Sequence, residues 1–268
     1  MIRFSQVAVR VVAPAVVVAA AVVGACTQVS SDPSAVVALE FDSLPYPAVV
    51  GGDTLRDETG AVIPLHAAAL NADGQVIASA GITYVLLDTG ATVSSEGIFT
   101  STAPNVQSVR VLAQAGTLQS RPLTIMVTPR PDSMVADGTV DTLRYKVIDD
   151  VSNTSGPVTV KILSNTASPP VPVRGWIVRF TLEHAGTPIA TDNTSLAWMV
   201  DDANRRSFED TTGTDGRASR KVRFNSKSLT QSQAFDDSLV VIAQAYALGA
   251  ALKGSPVRIV VQLRSAGS

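Results

Sequence analysis

Short apolar runs with a period of two, separated by turn residues, constrain the fold of this chain more than any other feature. In the clearest run, Trp176, Val178, Phe180 and Leu182 alternate with Ile177, Arg179, Thr181 and Glu183. Successive side chains of a β-strand point to opposite faces, so this spacing predicts a strand with one buried face. Gly, Pro, Asn and Asp separate the runs, and almost no segment has the spacing of an amphipathic helix. The chain is therefore predicted to be all-β.

Composition narrows the possible partners and the means of stabilisation. The 268 residues are 46% hydrophobic and carry a formal net charge of −2, without a basic stripe of the kind that nucleic-acid binding requires. The chain has one cysteine, Cys26, so no intrachain disulfide can form. We expect no nucleic-acid partner and a fold that depends on its hydrophobic core.

The first 26 residues have the pattern of an export signal. Arg3 and Arg10 supply positive charge, Val11–Ala25 is an uncharged run, and the small residues Val23–Ala25 lead into Cys26. A membrane-spanning helix is disfavoured because these fifteen uncharged residues fall short of the ~20 that a bilayer requires. Pro14 would also kink such a helix.

The end of this leader resembles the lipobox of bacterial lipoproteins. The resemblance implies that residues 1–25 are removed and that Cys26 becomes an acylated N-terminus anchored in the membrane. In an organism with two membranes, Thr27 (rather than Asp) after the cysteine resembles the sorting preference for the outer membrane. We therefore expect an exported, lipid-anchored protein of the cell envelope.

The remaining chain divides into a tether and two predicted domains. Residues 26–34 are the predicted tether, because residues 27–34 are small and polar. Thr128–Pro131 contains two prolines that interrupt strand pairing, which places a boundary between residues 35–130 and 131–268. Strands are predicted over Val36–Phe41, Val62–Leu70, Ile82–Leu87, Ala91–Val93, Gly97–Thr100, Ser108–Ala113, Leu118–Val127, Leu143–Val147, Val158–Ile162, Trp176–Glu183, Leu196–Val200, Ala218–Phe224, Leu239–Ala245 and Val257–Leu263.

Four motifs in residues 36–128 resemble the bacterial immunoglobulin-like domains of intimins and invasins. They are Val49–Thr54, which resembles the family's V-G-G-T turn, the strand and turn of Leu65–Ile77, Ile82–Tyr84 with Tyr84 in place of the usual Trp, and the A-T-V-S-x-x-G pattern of Ala91–Thr100. One departure is the segment Asn105–Ala113, which matches the family pattern only loosely.

Residues 140–263 resemble the related invasin-type group through Pro172–Phe180 and Thr211–Ala218. The two resemblances together imply two tandem immunoglobulin-like β-sandwiches, a structural or adhesive role, no catalysis and no cofactor. They also imply a protein or polysaccharide partner, which we expect the loops to bind.

An enzymatic alternative comes from Leu86–Thr92. This segment resembles the active-site turn of retroviral-type aspartic proteases, in which two aspartates share one proton. One copy, Asp88, would require a homodimer, and Val111–Ala113 matches the second protease signature poorly. The immunoglobulin-like resemblance instead predicts a loop between adjacent strands.

No metal site is expected. His66 and His184 form no i, i+4 pair, and the sequence predicts surface residues. The doublets Asp149–Asp150, Asp201–Asp202 and Asp236–Asp237 lack the spacing of a calcium loop and are predicted to lie in turns.

A glycan-binding module is the third hypothesis. Trp176 and Trp198 could stack on a sugar, although Trp176 belongs to the inward face of its predicted strand. Arg217, Arg220, Lys221 and Arg223 could contact an anionic glycan or lipid headgroups. The alternative for this basic cluster is a charged solvent face or a protected sheet edge.

Overall fold

The computed structural model describes residues 35–44, 46–102, 107–139, 142–147, 153–190, 195–226 and 236–266. The predicted leader, the lipidation site Cys26, the tether 26–34 and the doublet Asp149–Asp150 lie outside these ranges. Within them all regular structure is β, and no helix is long and apolar enough to cross a membrane.

The strands fall into two parts, which we call the N-terminal half (residues 35–128) and the C-terminal half (residues 133–266). The N-terminal half contains β1 (Ala38–Phe41), β2 (Ala48–Val50), β3 (Ala67–Leu70), β4 (Thr83–Leu86), β5 (Ala91–Val93), β6 (Phe99–Ser101), β7 (Ser108–Ala115), β8 (Leu118–Gln119) and β9 (Leu123–Thr128). The C-terminal half contains β10 (Ser133–Ala136), β11 (Leu143–Tyr145), β12 (Thr154–Ser164), β13 (Val171–Pro172), β14 (Ile177–His184), β15 (Thr187–Pro188), β16 (Ala197–Val200), β17 (Glu209–Thr211), β18 (Arg217–Phe224), β19 (Asp237–Gln244), β20 (Tyr246–Ala247), β21 (Ala250–Ala251) and β22 (Val257–Ser265).

The C-terminal half has the strand order of an immunoglobulin-like sandwich. One sheet has the order β10-β12-β18-β16, and the other has the order β11-β22-β19-β14-β15. If β10, β12, β14, β16, β18, β19 and β22 are lettered A to G, these sheets contain A-B-E-D and G-F-C, the two sheets of that fold. Strand β11 runs parallel to β22, so the chain passes from the first sheet to the second before β12.

The N-terminal half follows the same plan with shorter strands. The order β2-β9-β7-β4 forms one sheet, in which β2 is parallel to β9. The opposite layer consists of two separate pairs, β1-β3 and β5-β6. The predicted all-β, immunoglobulin-like fold is confirmed.

The period-two pattern places the core as predicted. On β14, Val178 and Phe180 are 0% exposed and Leu182 is 5% exposed, whereas Thr181 on the other face is exposed. On β7, Val109 and Val111 are fully buried. The alternation of apolar and polar residues along each strand therefore decides which sheet face packs inside.

Two predicted strands are wrong in extent. Val62–Leu70 contains strand structure only in β3, because Pro64 cannot donate a backbone hydrogen bond and β1 supplies only four partner residues. Leu118–Val127 is split into β8 and β9 around Pro122 for the same reason. Five further strands were not predicted, because two or three residues are too few to show a period of two. They are β13, β15, β17, β20 and β21.

Candidate functional site

Asp88 lies in the loop between β4 and β5. Its Oδ2 accepts hydrogen bonds from Nε of Arg110 at 3.0 Å and from the Arg110 backbone N–H at 2.9 Å, and its Oδ1 accepts one from Nη2 at 2.8 Å. Hydrogen bonds from the Arg110 side chain, followed by the backbone bond, lower the pKa of Asp88 to about 2. In an aspartic protease the catalytic carboxyl faces a second aspartate, whereas both oxygens of Asp88 are held by Arg110 in this chain.

Each histidine lies beside one aspartate. His66 Nδ1 is 2.6 Å from Asp42 Oδ2, and His184 Nε2 is 2.7 Å from Asp237 Oδ2. The hydrogen bond with His184 lowers the pKa of Asp237. Across the described ranges no group of three or more His, Cys, Asp or Glu side chains could hold a metal ion.

The acidic doublets that the structure describes stabilise turns and pair with cations. Asp201 Oδ1 accepts hydrogen bonds from the backbone N–H groups of Ala203 and Arg205, at 2.9 and 2.8 Å. Asp236 pairs with Arg264 at 2.6 Å, and this hydrogen bond lowers the pKa of Asp236. These carboxylates already accept hydrogen bonds from the protein itself.

The two tryptophans have different surroundings. Trp176 is 7% exposed, and its Nε1–H donates a hydrogen bond to the Tyr246 carbonyl at 2.9 Å. Trp198 is half-buried on β16, with the Arg206 guanidinium 4.2 Å from its ring centroid and that of Arg223 at 5.8 Å. A sugar stacks on a bare ring face, whereas Arg206 already covers Trp198.

The predicted basic cluster on β18 is a network of ion pairs. Arg217 pairs with Asp137 and Asp215, and Arg220 lies 2.9 Å from Asp210. Lys221 lies 2.9 Å from Asp202. Much of the positive charge that the sequence suggests is therefore neutralised, as expected of a charged solvent face.

The site that the sequence did not predict is the junction between the two halves. Its centre is an edge-to-face pair of Tyr46 and Trp176, with ring centroids 4.8 Å apart. The Tyr46 hydroxyl also accepts a hydrogen bond from the Ile177 backbone N–H at 3.4 Å. Tyr46 is 3% exposed, and burial raises its pKa.

A β-hairpin of the C-terminal half, β20–β21, extends over the first half at this junction. Its two-residue turn is Leu248–Gly249, and the Gly249 N–H donates to the Glu58 carbonyl at 2.9 Å. A Cβ on Gly60 would lie 3.0 Å from the Leu248 Cα, so the two backbones approach closely because Gly60 has no side chain.

An ion-pair triad links the halves beside this hairpin. Arg179 on β14 pairs with Glu58 of the N-terminal half, and its Nε lies 2.7 Å from Glu209 on β17. Hydrogen bonds to Glu58, then to Glu209, raise the pKa of Arg179. The Leu248–Gly249 dipeptide between Ala247 and Ala250 was the only sequence signal for this junction, since it resembles a tight turn.

Comparisons with known proteins find loose structural likeness. No protein-family model matches the chain, and no curated protein matches it in sequence. The adhesin InvE of Yersinia pseudotuberculosis is 13% identical over 84% of this chain and 58% of that chain, with a TM-score of 0.35. Domains 5-6 of the S-layer protein SbsC are 13% identical over 87% of this chain and 99% of that chain, with a TM-score of 0.28.

A third similar structure, the native conformation of E. coli alpha-2-macroglobulin, is 14% identical over 88% of this chain and 15% of that chain, with a TM-score of 0.32. Among these structures, the chain spans about 58% of the length of the adhesin InvE. With TM-scores this low, the fold assignment depends on strand order and register, and no function follows from the likeness.

Proposed function

We propose that this chain is a non-catalytic lipoprotein of the bacterial cell envelope, with a structural or adhesive role. In this proposal residues 35–130 and 131–268 are two immunoglobulin-like domains in tandem, and acylated Cys26 anchors them to a membrane. The strand order of both halves and the lipobox-like sequence support it.

The observation that carries the proposal is the junction. It joins the halves through buried aromatic rings, a backbone hydrogen bond and an ion-pair triad. Contacts of these three kinds oppose bending between the halves, because bending would break several of them together. A stiff double unit suits a protein that holds its loops at a fixed distance from a membrane.

The anchor is tested by mass spectrometry of the mature protein and by membrane fractionation. An N-terminal Cys26 that carries acyl chains is expected, and the Cys26→Ala variant should no longer be processed to that acylated form. A mature N-terminus at any other residue would contradict the anchoring.

The adhesive role is tested by photo-crosslinking in living cells. A photoreactive amino acid is placed in a loop, at Ser95 or Asn204, and in matched cells on the strand surface at Val240. We expect a specific partner, protein or polysaccharide, to crosslink at a loop position and not at Val240. The adhesive role is refuted if the loop positions capture nothing beyond what Val240 captures.

The absence of catalysis is tested with peptide substrates at acidic pH. Neither wild type nor Asp88→Asn should hydrolyse them, because in the wild type both Asp88 oxygens are paired with Arg110 and not with a second aspartate. A pepstatin-sensitive activity that disappears in Asp88→Asn would establish the protease instead.

A further inference from the structure

The junction encloses a cavity of about 350 Å³ between the two halves. The N-terminal half contributes apolar residues such as Ala48 and Val49, and the C-terminal half contributes Trp176 and Leu252. Small-molecule sites in proteins are concave, mostly apolar, and found preferentially where two domains meet.

Most polar groups on the N-terminal wall are already engaged. Arg56 donates from Nε to Asp53 at 3.2 Å and from Nη1 to the Gly60 carbonyl at 3.0 Å. Asp57 Oδ1 accepts hydrogen bonds from the Thr59 hydroxyl at 2.6 Å and from the Ala61 N–H at 3.0 Å. These groups shape the wall and have little hydrogen-bonding capacity left for a ligand.

Two cations at the rim of the cavity, Arg130 between the halves and Lys253 in the C-terminal half, have N–H groups left to donate to a ligand. Arg130 is 69% exposed, and its Nε is 3.7 Å from Asp132 Oδ1, beyond hydrogen-bond distance. Lys253 is exposed and takes part in none of the ion pairs between described residues. Its backbone N–H donates to the Asp132 carbonyl at 3.2 Å, which places it close to Arg130 in the fold.

We propose that this junction cavity binds a compact organic anion with an apolar body, such as an aromatic carboxylate. The apolar part occupies the space beside Trp176, and the carboxylate accepts hydrogen bonds from Arg130 and Lys253 at the rim. A guanidinium and an ammonium at the same rim favour an anionic ligand over a neutral one of the same shape. The site is distinct from any loop surface used for adhesion.

The test is ligand-observed ¹⁹F NMR on the full mature chain in lipid nanodiscs. The probe is 4-(trifluoromethyl)benzoate, its neutral counterpart is 4-(trifluoromethyl)benzamide, and empty nanodiscs give the blank. We expect the benzoate to broaden on binding and the benzamide to bind about tenfold more weakly. Arg130→Ala and Lys253→Ala should each weaken benzoate binding about tenfold, as expected for the loss of one charge-assisted hydrogen bond.

Two further variants separate the cavity from the surface charge. Arg144→Ala removes an exposed cation on β11, outside the cavity, and should leave benzoate binding unchanged. Ala251→Phe fills the cavity from β21 and should abolish binding while the circular dichroism spectrum stays that of the wild type. The proposal is overturned if both probes bind equally, if neither binds at millimolar concentration, or if Arg144→Ala weakens binding as much as the cavity variants.

Discussion

The contact between the hairpin β20–β21 and the N-terminal half can be measured with two glycine substitutions. Gly249 has φ +78° and Gly186, in the hairpin β14–β15, has φ +79°. Each follows a residue that also has positive φ, Leu248 or Ala185, as a type I′ turn requires. The two turns therefore share one backbone geometry, and only their surroundings differ.

Replacing either glycine by alanine introduces the same backbone strain, about 1–2 kcal/mol. A Cβ on Gly186 meets nothing within 4 Å, whereas a Cβ on Gly249 would lie 2.9 Å from the Thr59 carbonyl oxygen. Relieving that clash moves the hairpin away from Glu58, whose carbonyl accepts the Gly249 N–H at 2.9 Å. The weakened hydrogen bond and the overpacking together cost about 1–3 kcal/mol more.

Gly249→Ala should thus lower the free energy of unfolding by about 1–3 kcal/mol more than Gly186→Ala does. Urea unfolding followed by tryptophan fluorescence measures both variants, and Trp176 reports directly on the junction. An equal loss of unfolding free energy in the two variants would show that the hairpin does not contact the N-terminal half in solution. The junction would then not be stiff.

Three further predictions concern single side chains. The pKa of the Asp88 carboxyl, followed by ¹³C NMR, should be about 2. Because folding lowers this pKa, the stability that Asp88 contributes is present above the ordinary pKa of an aspartate and is lost as the pH falls from that value through about 2. A midpoint at the ordinary value would contradict the observed pairing. Phe180→Ala should cost about 3–5 kcal/mol of unfolding free energy, against less than about 0.5 kcal/mol for the exposed Val260→Ala; similar costs would refute the assigned core. Arg206→Ala should increase acrylamide quenching of Trp198 fluorescence, and unchanged quenching would mean that the guanidinium does not cover the ring.

Strand positions could be predicted from sequence where the signal is local. The alternation that begins at Trp176 fixes which face of β14 is buried, because the period of two is a property of the strand itself. The turn within Leu65–Ile77 was predicted from its residues, and Gly74 adopts φ +75° there. Neither prediction requires knowledge of the rest of the molecule.

Strand lengths could not be predicted in the same way. Residues 62–66 are as apolar as a strand, yet β3 begins only at Ala67, where β1 supplies a pairing partner. The hairpin β20–β21 has two residues in each strand, too few for a period to appear. Partner strands, together with prolines such as Pro64 and Pro122, decide where these strands begin and end.

The order of side chains along this chain determined its β class, its buried faces and many of its turns, since these depend on neighbouring residues. Only the tertiary structure decided which charges are paired and which ring faces are covered. Arg179 meets Glu58 across 121 positions, and Arg217 meets Asp137 across 80. Residues so distant in sequence come into contact only when the sheets stack and the two halves join. No local spacing in the sequence predicts such a contact.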